Sequence, residues 1–221
     1  MTTTGGPPDR FRLLYVCTGN ICRSPFAQFH TRFLLEARLG PAQAARFHVA
    51  SAGISAVVGR EMHPLSREQL TTRRDHPDVE SFRARQLPER DLLLADLVLG
   101  LARPHRSESL SLVPKAMGHA FTLREFARLL AAADPERRRR LPADPVERAR
   151  ALVTLARDTR GVPAPVSEEE DAVPDPISGG EEEQREAAET IDTAVRVFLD
   201  LLTPPRTPSR PGPPPPPRSG R

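Results

Sequence analysis

The feature that most constrains the fold is an apolar run that leads directly into a polar loop and then into a helix. The run is RLLYVC at residues 12–17, the loop is CTGNICRS at residues 17–24, and apolar residues recur at helical spacing over residues 24–39. A short apolar run of this kind is typical of a buried strand. The sequence therefore predicts a strand–loop–helix unit, from which parallel sheets are built.

Strand-like and helix-like segments alternate along the rest of the chain. This alternation predicts an α/β fold with a parallel sheet and helices on both faces. In such sheets ligands bind beyond the carboxyl ends of the strands, so the loop after the first strand is the candidate site. The further predicted strands are residues 47–52, 97–102 and 120–123, and the further helices are residues 64–74, 104–112, 124–133, 145–158 and 191–202.

Composition divides the chain into three parts. Proline accounts for 25 of the 221 residues, and nine of these prolines lie in residues 203–221. Residues 1–9 and the Pro- and Arg-rich residues 203–221 are expected to be disordered, which leaves residues 10–202 as one domain. No apolar stretch is long enough for a transmembrane helix, and the first residues lack the features of a secretory signal. We expect a cytoplasmic protein that does not bind membranes.

Charge, cysteine and histidine content exclude several kinds of partner. The net charge is +3, and the four arginines of residues 203–221 account for it, so the domain has no excess positive charge for nucleic acid. Two cysteines are too few for a disulfide framework or a four-thiolate zinc site. The six histidines show no ligand spacing. We expect no metal, no other cofactor and no nucleic-acid partner.

The loop after the first strand has the chemistry of an anion site. Pro25 is a favoured first residue of a helix, which puts Ser24 at the predicted N-cap. Gly19 and Asn20 tolerate the positive φ that turns N–H groups inward. Backbone N–H groups at a helix N-terminus bind phosphate. The predicted phosphate-binding residues are Thr18, Gly19, Asn20, Ile21, Cys22, Arg23 and Ser24.

Cys17 and Arg23 stand at the two ends of this loop. An anion site favours the thiolate of Cys17, which is the nucleophilic form. Arg23 offers a planar fork that matches two oxygens of a phosphate or an arsenate. The chain has no Gly-Lys-Ser/Thr and no Cys-x-x-Cys sequence, which excludes a Walker A loop and a thioredoxin-type motif. The loop therefore indicates nucleophilic chemistry on a phosphate-like substrate.

The segment LLYVCTGNICRSPFAQ resembles the signature of the low-molecular-weight protein tyrosine phosphatase family. Further similar segments follow in family order, namely SAGIS, FRARQLPERDLLLADLVLGLARPHR, LREFA and VPDPISGG, so the resemblance covers residues 10–202. It implies a four-stranded parallel sheet in the order 2-1-3-4. It also implies hydrolysis of phosphotyrosine in proteins, with Cys17 as the nucleophile of a phosphocysteine intermediate, Arg23 binding the phosphoryl group, Asn20 shaping the loop and Ser24 hydrogen-bonding the thiolate.

The family uses an Asp-Pro pair as its general acid, and this chain has three such pairs. Asp134 and Asp144 are each followed by a helical pattern and are expected to be N-caps. Asp175 is followed by a Gly-containing stretch, so no helix begins there, and the next helix is expected to be capped by Ser178. Order along the chain and the resemblance assign Asp175 as the general acid.

The chain departs from the family pattern at two places. Family members often carry an aromatic pair after the Asp-Pro, where this chain has Ile177 and Ser178, so no ring from that loop is expected to stack on a substrate. Many members have a histidine where this chain has Phe82. Asn20 and Ser24 must then be held by other groups.

Two alternative functions, and two alternative roles for Cys22, stay open at the level of sequence. An arsenate reductase on the same fold is one, although the chain has no cysteine after Cys22 to carry electrons away. A phosphate-binding or scaffold protein without catalysis, acting through residues 203–221 on an unknown partner, is another. Cys22 is either a redox partner of Cys17 that forms a disulfide with it, or a small buried apolar residue.

Overall fold

The structure is a computed structural model, and it describes residues 9–203. Four strands form one parallel sheet in the order β2-β1-β3-β4, as predicted. The predictions of disorder for residues 1–8 and 204–221 lie outside the described residues. The strands are β1 (Phe11–Cys17), β2 (Phe47–Gly53), β3 (Leu97–Gly100) and β4 (Ala120–Thr122).

Helices cover both faces of the sheet, as predicted. Two 3-10 turns, Thr71–Arg73 and Pro114–Gly118, complete the described part of the chain. The helices are α1 (Arg23–Leu39), α2 (Pro41–Ala44), α3 (Pro64–Glu68), α4 (Pro77–Glu80), α5 (Glu89–Leu94), α6 (Arg103–Leu112), α7 (Leu123–Ala132), α8 (Pro135–Arg139), α9 (Pro145–Asp158), α10 (Glu168–Asp171) and α11 (Glu181–Leu202).

The side chains of β1 alternate between two apolar cores. Leu13 and Tyr15 belong to the larger core, which is built with α1, α7, α9 and α11, while Leu14 and Val16 belong to a smaller core with α5 and α6. Because side chains point to opposite faces along a strand, both faces of this central strand are buried. This burial explains why the sequence of β1 is an almost continuous apolar run.

The register brings the carboxyl ends of three strands together. Cys17 at the end of β1 is paired with Gly53 at the end of β2, and Val16 is paired with Gly100 at the end of β3. The loop that follows Cys17 consequently lies at the edge of the sheet where ligands bind in open α/β folds.

Two predicted helices differ from the structure. The helix predicted over residues 64–74 is broken after α3, and Thr71 has a φ of 53°, which a continuous α-helix does not allow. The last helix begins at Glu181 rather than at Ile191. Its first turn carries three glutamates, which are stabilised by the positive end of the helix, and its apolar face starts with Ala187. Among residues 9–203, no helix is long and apolar enough to cross a membrane.

Candidate active site

The loop between β1 and α1 is held in place through its carbonyl groups. Backbone N–H groups of the segment after β2 donate hydrogen bonds of 3.0 to 3.1 Å to the carbonyls of Cys17, Thr18 and Gly19, and His63 N–H donates to the Ile21 carbonyl at 2.8 Å. In a trans peptide the carbonyl and the following N–H point in opposite directions. The N–H groups that follow these carbonyls therefore point away from that segment and into the loop, where an anion can accept from them.

Backbone conformation and close packing shape this loop. Asn20 has a φ of 54°, as predicted, whereas Gly19 does not have a positive φ and that prediction was wrong. Glycine is required instead at the end of β2, because a Cβ on Gly53 would lie 2.4 Å from the carbonyl oxygen of Thr18. The contact between β2 and the loop therefore depends on Gly53.

A chain of hydrogen bonds runs from the interior of the loop to the Cys17 sulfur. Asn20 Nδ2 donates to Ser24 Oγ and to Ser51 Oγ, each at 2.9 Å, and Asn20 Oδ1 accepts from the Arg85 N–H at 2.9 Å. Ser24 Oγ lies 2.9 Å from Cys17 Sγ. Because the Ser24 oxygen already accepts from Asn20, its own O–H is available to the sulfur and stabilises the thiolate.

Ser24 does not cap the helix, contrary to the prediction. α1 begins at Arg23, and Cys22 at the N-cap makes no side-chain hydrogen bond to the helix. Ser24 is the second residue of α1, inside the helix rather than at its N-cap. Its hydroxyl faces the Cys17 sulfur and not the free N–H groups of the helix. The sequence pattern Ser-Pro predicts a cap, and the structure instead places this hydroxyl on the Cys17 sulfur.

Arg23 connects the loop to the segment that carries the predicted acid. Its side chain is buried, and its two terminal nitrogens have different acceptors: Nη1 donates to the Val173 carbonyl at 3.2 Å, and Nη2 donates to Asp175 Oδ2 at 2.5 Å. The Asp175 side chain is 46% exposed, so its carboxyl group stands at the mouth of the site. The fold thus brings Asp175 to the residue that closes the loop begun by Cys17.

The two other Asp-Pro pairs are helix caps, as predicted. Asp134 accepts from the N–H of Glu136 ahead of α8, and Asp144 accepts from two N–H groups at the start of α9. The predicted cap of α11 was wrong, because the N-cap is Gly180, whose N–H donates to the Glu183 carboxylate at 2.7 Å, and not Ser178. Asp175 is therefore the one of the three that the structure leaves beside Arg23.

The structure shows the contacts and the exposure of the positions that depart from the family pattern. Phe82 is buried and packs edge-on against Phe29 with ring centroids 5.7 Å apart, so it belongs to the core. Asn20 is held by Ser51 and by the Arg85 N–H, which confirms that other groups take over the support of the loop. Ile177, two residues after Asp175, is 49% exposed.

His105 is a site residue that the sequence analysis missed. It is 3% exposed, its Nε2 lies 3.0 Å from Thr18 Oγ1, and its Nδ1 is buried without a hydrogen-bond partner among the described residues. Burial, and to a smaller extent the positive charge of Arg23, lower the pKa of His105 to about 4, so the ring is neutral. Its position two residues into α6, just beyond β3, was the available signal, since ligands bind at that end of the sheet.

The arrangement supports nucleophilic attack on an anionic group. A thiol hydrogen-bonded to a serine hydroxyl, inward-facing N–H groups and a buried guanidinium are the groups that can bind and polarise a phosphoryl group. A carboxyl group at the mouth can move a proton. Residues 9–203 contain no cluster of histidine, cysteine, aspartate and glutamate that could hold a metal ion.

Comparison with known proteins identifies the family. The family model described as low molecular weight phosphotyrosine protein phosphatase matches residues 12–140. The chain belongs to this family, and its activity class is that of a protein phosphatase.

Individual relatives agree with this assignment. The chain is 34% identical over 126 residues to a probable low molecular weight protein-tyrosine-phosphatase, EpsP, of Ralstonia nicotianae, covering 57% of this chain and 79% of the relative. It is 32% identical over 116 residues to a protein-arginine-phosphatase of Geobacillus stearothermophilus, covering 52% and 71%. The solved structure of the low molecular weight protein tyrosine phosphatase from T. tengcongensis superposes with a TM-score of 0.59 at 26% identity, covering 86% of this chain and 98% of that one.

Proposed function

We propose that the protein hydrolyses phosphotyrosine in proteins through a phosphocysteine on Cys17. The observation that carries this proposal is the contact of Arg23, at the end of the loop, with Asp175, the carboxyl group at its mouth. A phosphoryl group in the loop would have the Cys17 sulfur on one side and the oxygen of its leaving group near Asp175. That is the in-line arrangement that displacement at phosphorus requires.

In the first step the Cys17 thiolate attacks phosphorus. The S–P bond forms, the bond from phosphorus to the tyrosyl oxygen breaks, and the carboxylic acid of Asp175 gives its proton to that oxygen. The loop N–H groups and the Arg23 guanidinium donate hydrogen bonds to the phosphoryl oxygens, whose charge they stabilise through the transition state. Arg23 is pre-oriented for this by its second hydrogen bond, to the Val173 carbonyl.

In the second step water releases phosphate. Asp175, now a carboxylate, takes a proton from a water molecule whose oxygen attacks phosphorus, and the S–P bond breaks. The electron pair returns to sulfur, and the Ser24 hydroxyl at 2.9 Å stabilises the thiolate as it leaves. The cycle then restores both Cys17 and the protonated acid.

An aryl substrate is supported by the apolar side chains near the mouth of the site. Ile177 lies beside the acid and Val57 lies beside the loop, and these side chains are 49% and 44% exposed. Exposed apolar groups next to a phosphate site favour an aromatic ring over the charged guanidinium of phosphoarginine. They substitute for the ring that the family often has after its Asp-Pro.

The experiment is a comparison of three substrates with EDTA present. Peptides of one sequence carrying phosphotyrosine or phosphoarginine, and free arsenate with a thiol reductant, are turned over by wild type and by Cys17→Ser. We expect phosphotyrosine to give the highest kcat/KM and Cys17→Ser to be inactive on every substrate. Preference for phosphoarginine or reduction of arsenate would replace the proposed substrate, and turnover by Cys17→Ser would overturn the mechanism.

A cytoplasmic location and a soluble phosphoprotein partner are also proposed. Both cysteines are free thiols, and the nucleophile must stay reduced to act, which a cytoplasmic redox state provides. Fractionation of cells with an antibody to residues 203–221 tests the location. Whether that Pro-rich stretch binds a partner, which is the remaining scaffold hypothesis, is tested by comparing the proteins that co-purify with the full chain and with a chain that ends at residue 202.

A further inference from the structure

A buried polar cluster lies behind the phosphate loop, outside the residues assigned so far. Its centre is Gln184 on α11, which is 2% exposed. Gln184 Nε2 donates to the Pro176 carbonyl at 3.1 Å, and Gln184 Oε1 accepts from Ser66 Oγ at 2.5 Å. Cys22, at the end of the loop, lines the same small cavity as Ser66, Pro176 and Gln184. One amide thus joins α3 to Pro176, the residue that follows the proposed acid.

The segment that carries Asp175 is anchored firmly on its other side. Asp171 is buried between Arg103 and Arg128, with oxygen–nitrogen distances of 2.8 and 2.6 Å. Two residues later, Val173 N–H donates to the carbonyl of Leu101 at 2.8 Å. The segment before Asp175 therefore has both an ion-pair anchor and a backbone anchor to the end of the sheet.

After Asp175 the contact to another element is the amide of Gln184. The carbonyl of the buried Pro176 accepts from the Gly179 N–H of its own turn and from Gln184 Nε2, each at 3.1 Å. An apolar side chain at residue 184 would remove the donor that ties this turn to α11 and would leave the buried Ser66 hydroxyl without its acceptor, so the backbone beside Asp175 would shift. A shift there moves the carboxyl group, because Asp175 and Pro176 share a peptide bond.

We propose that Gln184 is a positioning residue for the general acid: it holds the Asp175–Pro176 peptide so that the carboxyl group faces the leaving-group oxygen. This inference rests on the proposed role of Asp175. Gln184 does not touch the substrate, and it acts only through the place that it gives to Asp175. Ser66 supports it by fixing which end of the amide faces Pro176, since a hydroxyl that donates to Oε1 leaves Nε2 for the carbonyl.

The property that this role controls is the sensitivity of the rate to the leaving group. A phenol that leaves poorly needs a proton from the acid, whereas nitrophenol carries its negative charge more easily and needs the proton less. A misplaced acid therefore slows phenyl phosphate more than 4-nitrophenyl phosphate. The appropriate quantity is kcat/KM, which reports on transfer of the phosphoryl group to the enzyme even when hydrolysis of the intermediate limits kcat.

The test measures kcat/KM for both substrates in wild type, Gln184→Met, Ser66→Ala, Asp175→Asn and Gln184→Met/Asp175→Asn. Glu186→Gln is the matched control, because Glu186 is exposed on the same helix. We expect Gln184→Met to lose about tenfold on phenyl phosphate, part of the roughly 10²–10⁴-fold that a placed acid contributes, and no more than about twofold on 4-nitrophenyl phosphate. Ser66→Ala, a milder change, should shift the ratio in the same direction, and Glu186→Gln should leave it unchanged.

The double variant separates positioning from general damage. If Gln184 acts through the acid, Gln184→Met costs almost nothing further once Asp175 is asparagine. Equal losses on both substrates, or losses that multiply in the double variant, would overturn the proposal for Gln184. Failure of the proposed function itself would look different, since Asp175→Asn alone would then leave the ratio of the two substrates at the wild-type value.

Discussion

Asp175 Oδ2 lies 2.5 Å from Nη2 of Arg23, although 152 positions separate the two residues in the chain. The Arg23 side chain is 7% exposed and the Asp175 side chain is 46% exposed, so the pair joins the floor of the site to its mouth. The other terminal nitrogen of Arg23 donates to Val173, in the same segment as Asp175. One guanidinium consequently fixes the segment of Val173 and Asp175 against the loop that follows β1.

The first prediction concerns the shape of the Arg23 side chain. Arg23→Lys should lower kcat/KM for an aryl phosphate by about 10²–10³-fold, nearly as much as Arg23→Ala. A lysine ammonium keeps the charge but cannot serve two acceptors with a rigid fork. Steady-state kinetics of wild type and both variants measure this loss, and their melting temperatures show whether the variants are folded. Retention of most of the wild-type kcat/KM in Arg23→Lys would show that charge alone suffices.

The second prediction concerns the glycine at the end of β2. Gly53→Ala should displace the loop, because its Cβ would lie 2.4 Å from the Thr18 carbonyl oxygen. We expect a loss of phosphate affinity together with a lower melting temperature, measured by calorimetry with and without inorganic phosphate. Gly118→Ala is the control, since a Cβ there meets nothing closer than 4.0 Å. Normal phosphate binding by Gly53→Ala would mean that the loop does not depend on this contact.

The third prediction is a pH dependence of stability from His105. Its pKa is about 4 in the folded protein and near the ordinary 6.5 in the unfolded chain, so between these values only the unfolded chain binds the proton. The free energy of unfolding should therefore fall as the pH drops from 6.5 to 4, by at most about 3 kcal/mol given about 1.4 kcal/mol per pH unit. Above pH 6.5 this contribution is fully present.

Chemical denaturation across that pH range, compared between wild type and His105→Gln, isolates the contribution of this ring. The variant should show a shallower fall from pH 6.5 to 4, because the carboxylates that titrate nearby are common to both proteins. Identical slopes in the two proteins would contradict a buried neutral histidine beside Thr18.

The fourth prediction is a reversible oxidation that involves both cysteines. Burial raises the pKa of the Cys22 thiol, so Cys22 stays protonated and Cys17, beside the Ser24 hydroxyl, is the thiol that peroxide attacks first. Cys22 should then react with the Cys17 sulfenic acid, which forms a disulfide and releases water. Intact mass and the turnover recovered after a thiol reductant are measured in wild type and Cys22→Ser. Equal recovery in the two proteins would leave Cys22 as a buried apolar residue.

The strand–loop–helix unit was predictable because its signals are local. The apolar run of β1 is buried on both faces, and the residues between Cys17 and Arg23 are contiguous, so spacing alone places them around one site. Asp134 and Asp144 were predictable as caps for the same reason. Asp175 needed the family resemblance, because nothing within a few residues of it shows that Arg23 will lie 2.5 Å away.

The parts that were missed depend on contacts distant in sequence. His105 and Gln184 meet the site only through the fold, and a single buried histidine or glutamine has no pattern of its own in the sequence. Ser24 was misread because Ser-Pro at a helix start is a strong cap signal, and only the structure shows its hydroxyl on Cys17. Gly53 lies in a segment recognised by resemblance, but the need for glycine comes from Thr18, in the loop that follows the neighbouring strand.

Capture of the covalent intermediate tests the proposed mechanism most directly. Wild type and Asp175→Asn are mixed with 4-nitrophenyl phosphate, whose leaving group needs the proton of Asp175 least. The samples are quenched in acid within the first turnovers and analysed by intact mass and by peptide mapping. We predict an adduct of one phosphoryl group on Cys17, present in larger amount in Asp175→Asn, because the second proposed task of Asp175 is to activate the water that removes it. Phosphate on another residue, or active enzyme with no adduct and no burst of released nitrophenol, would contradict a phosphocysteine mechanism.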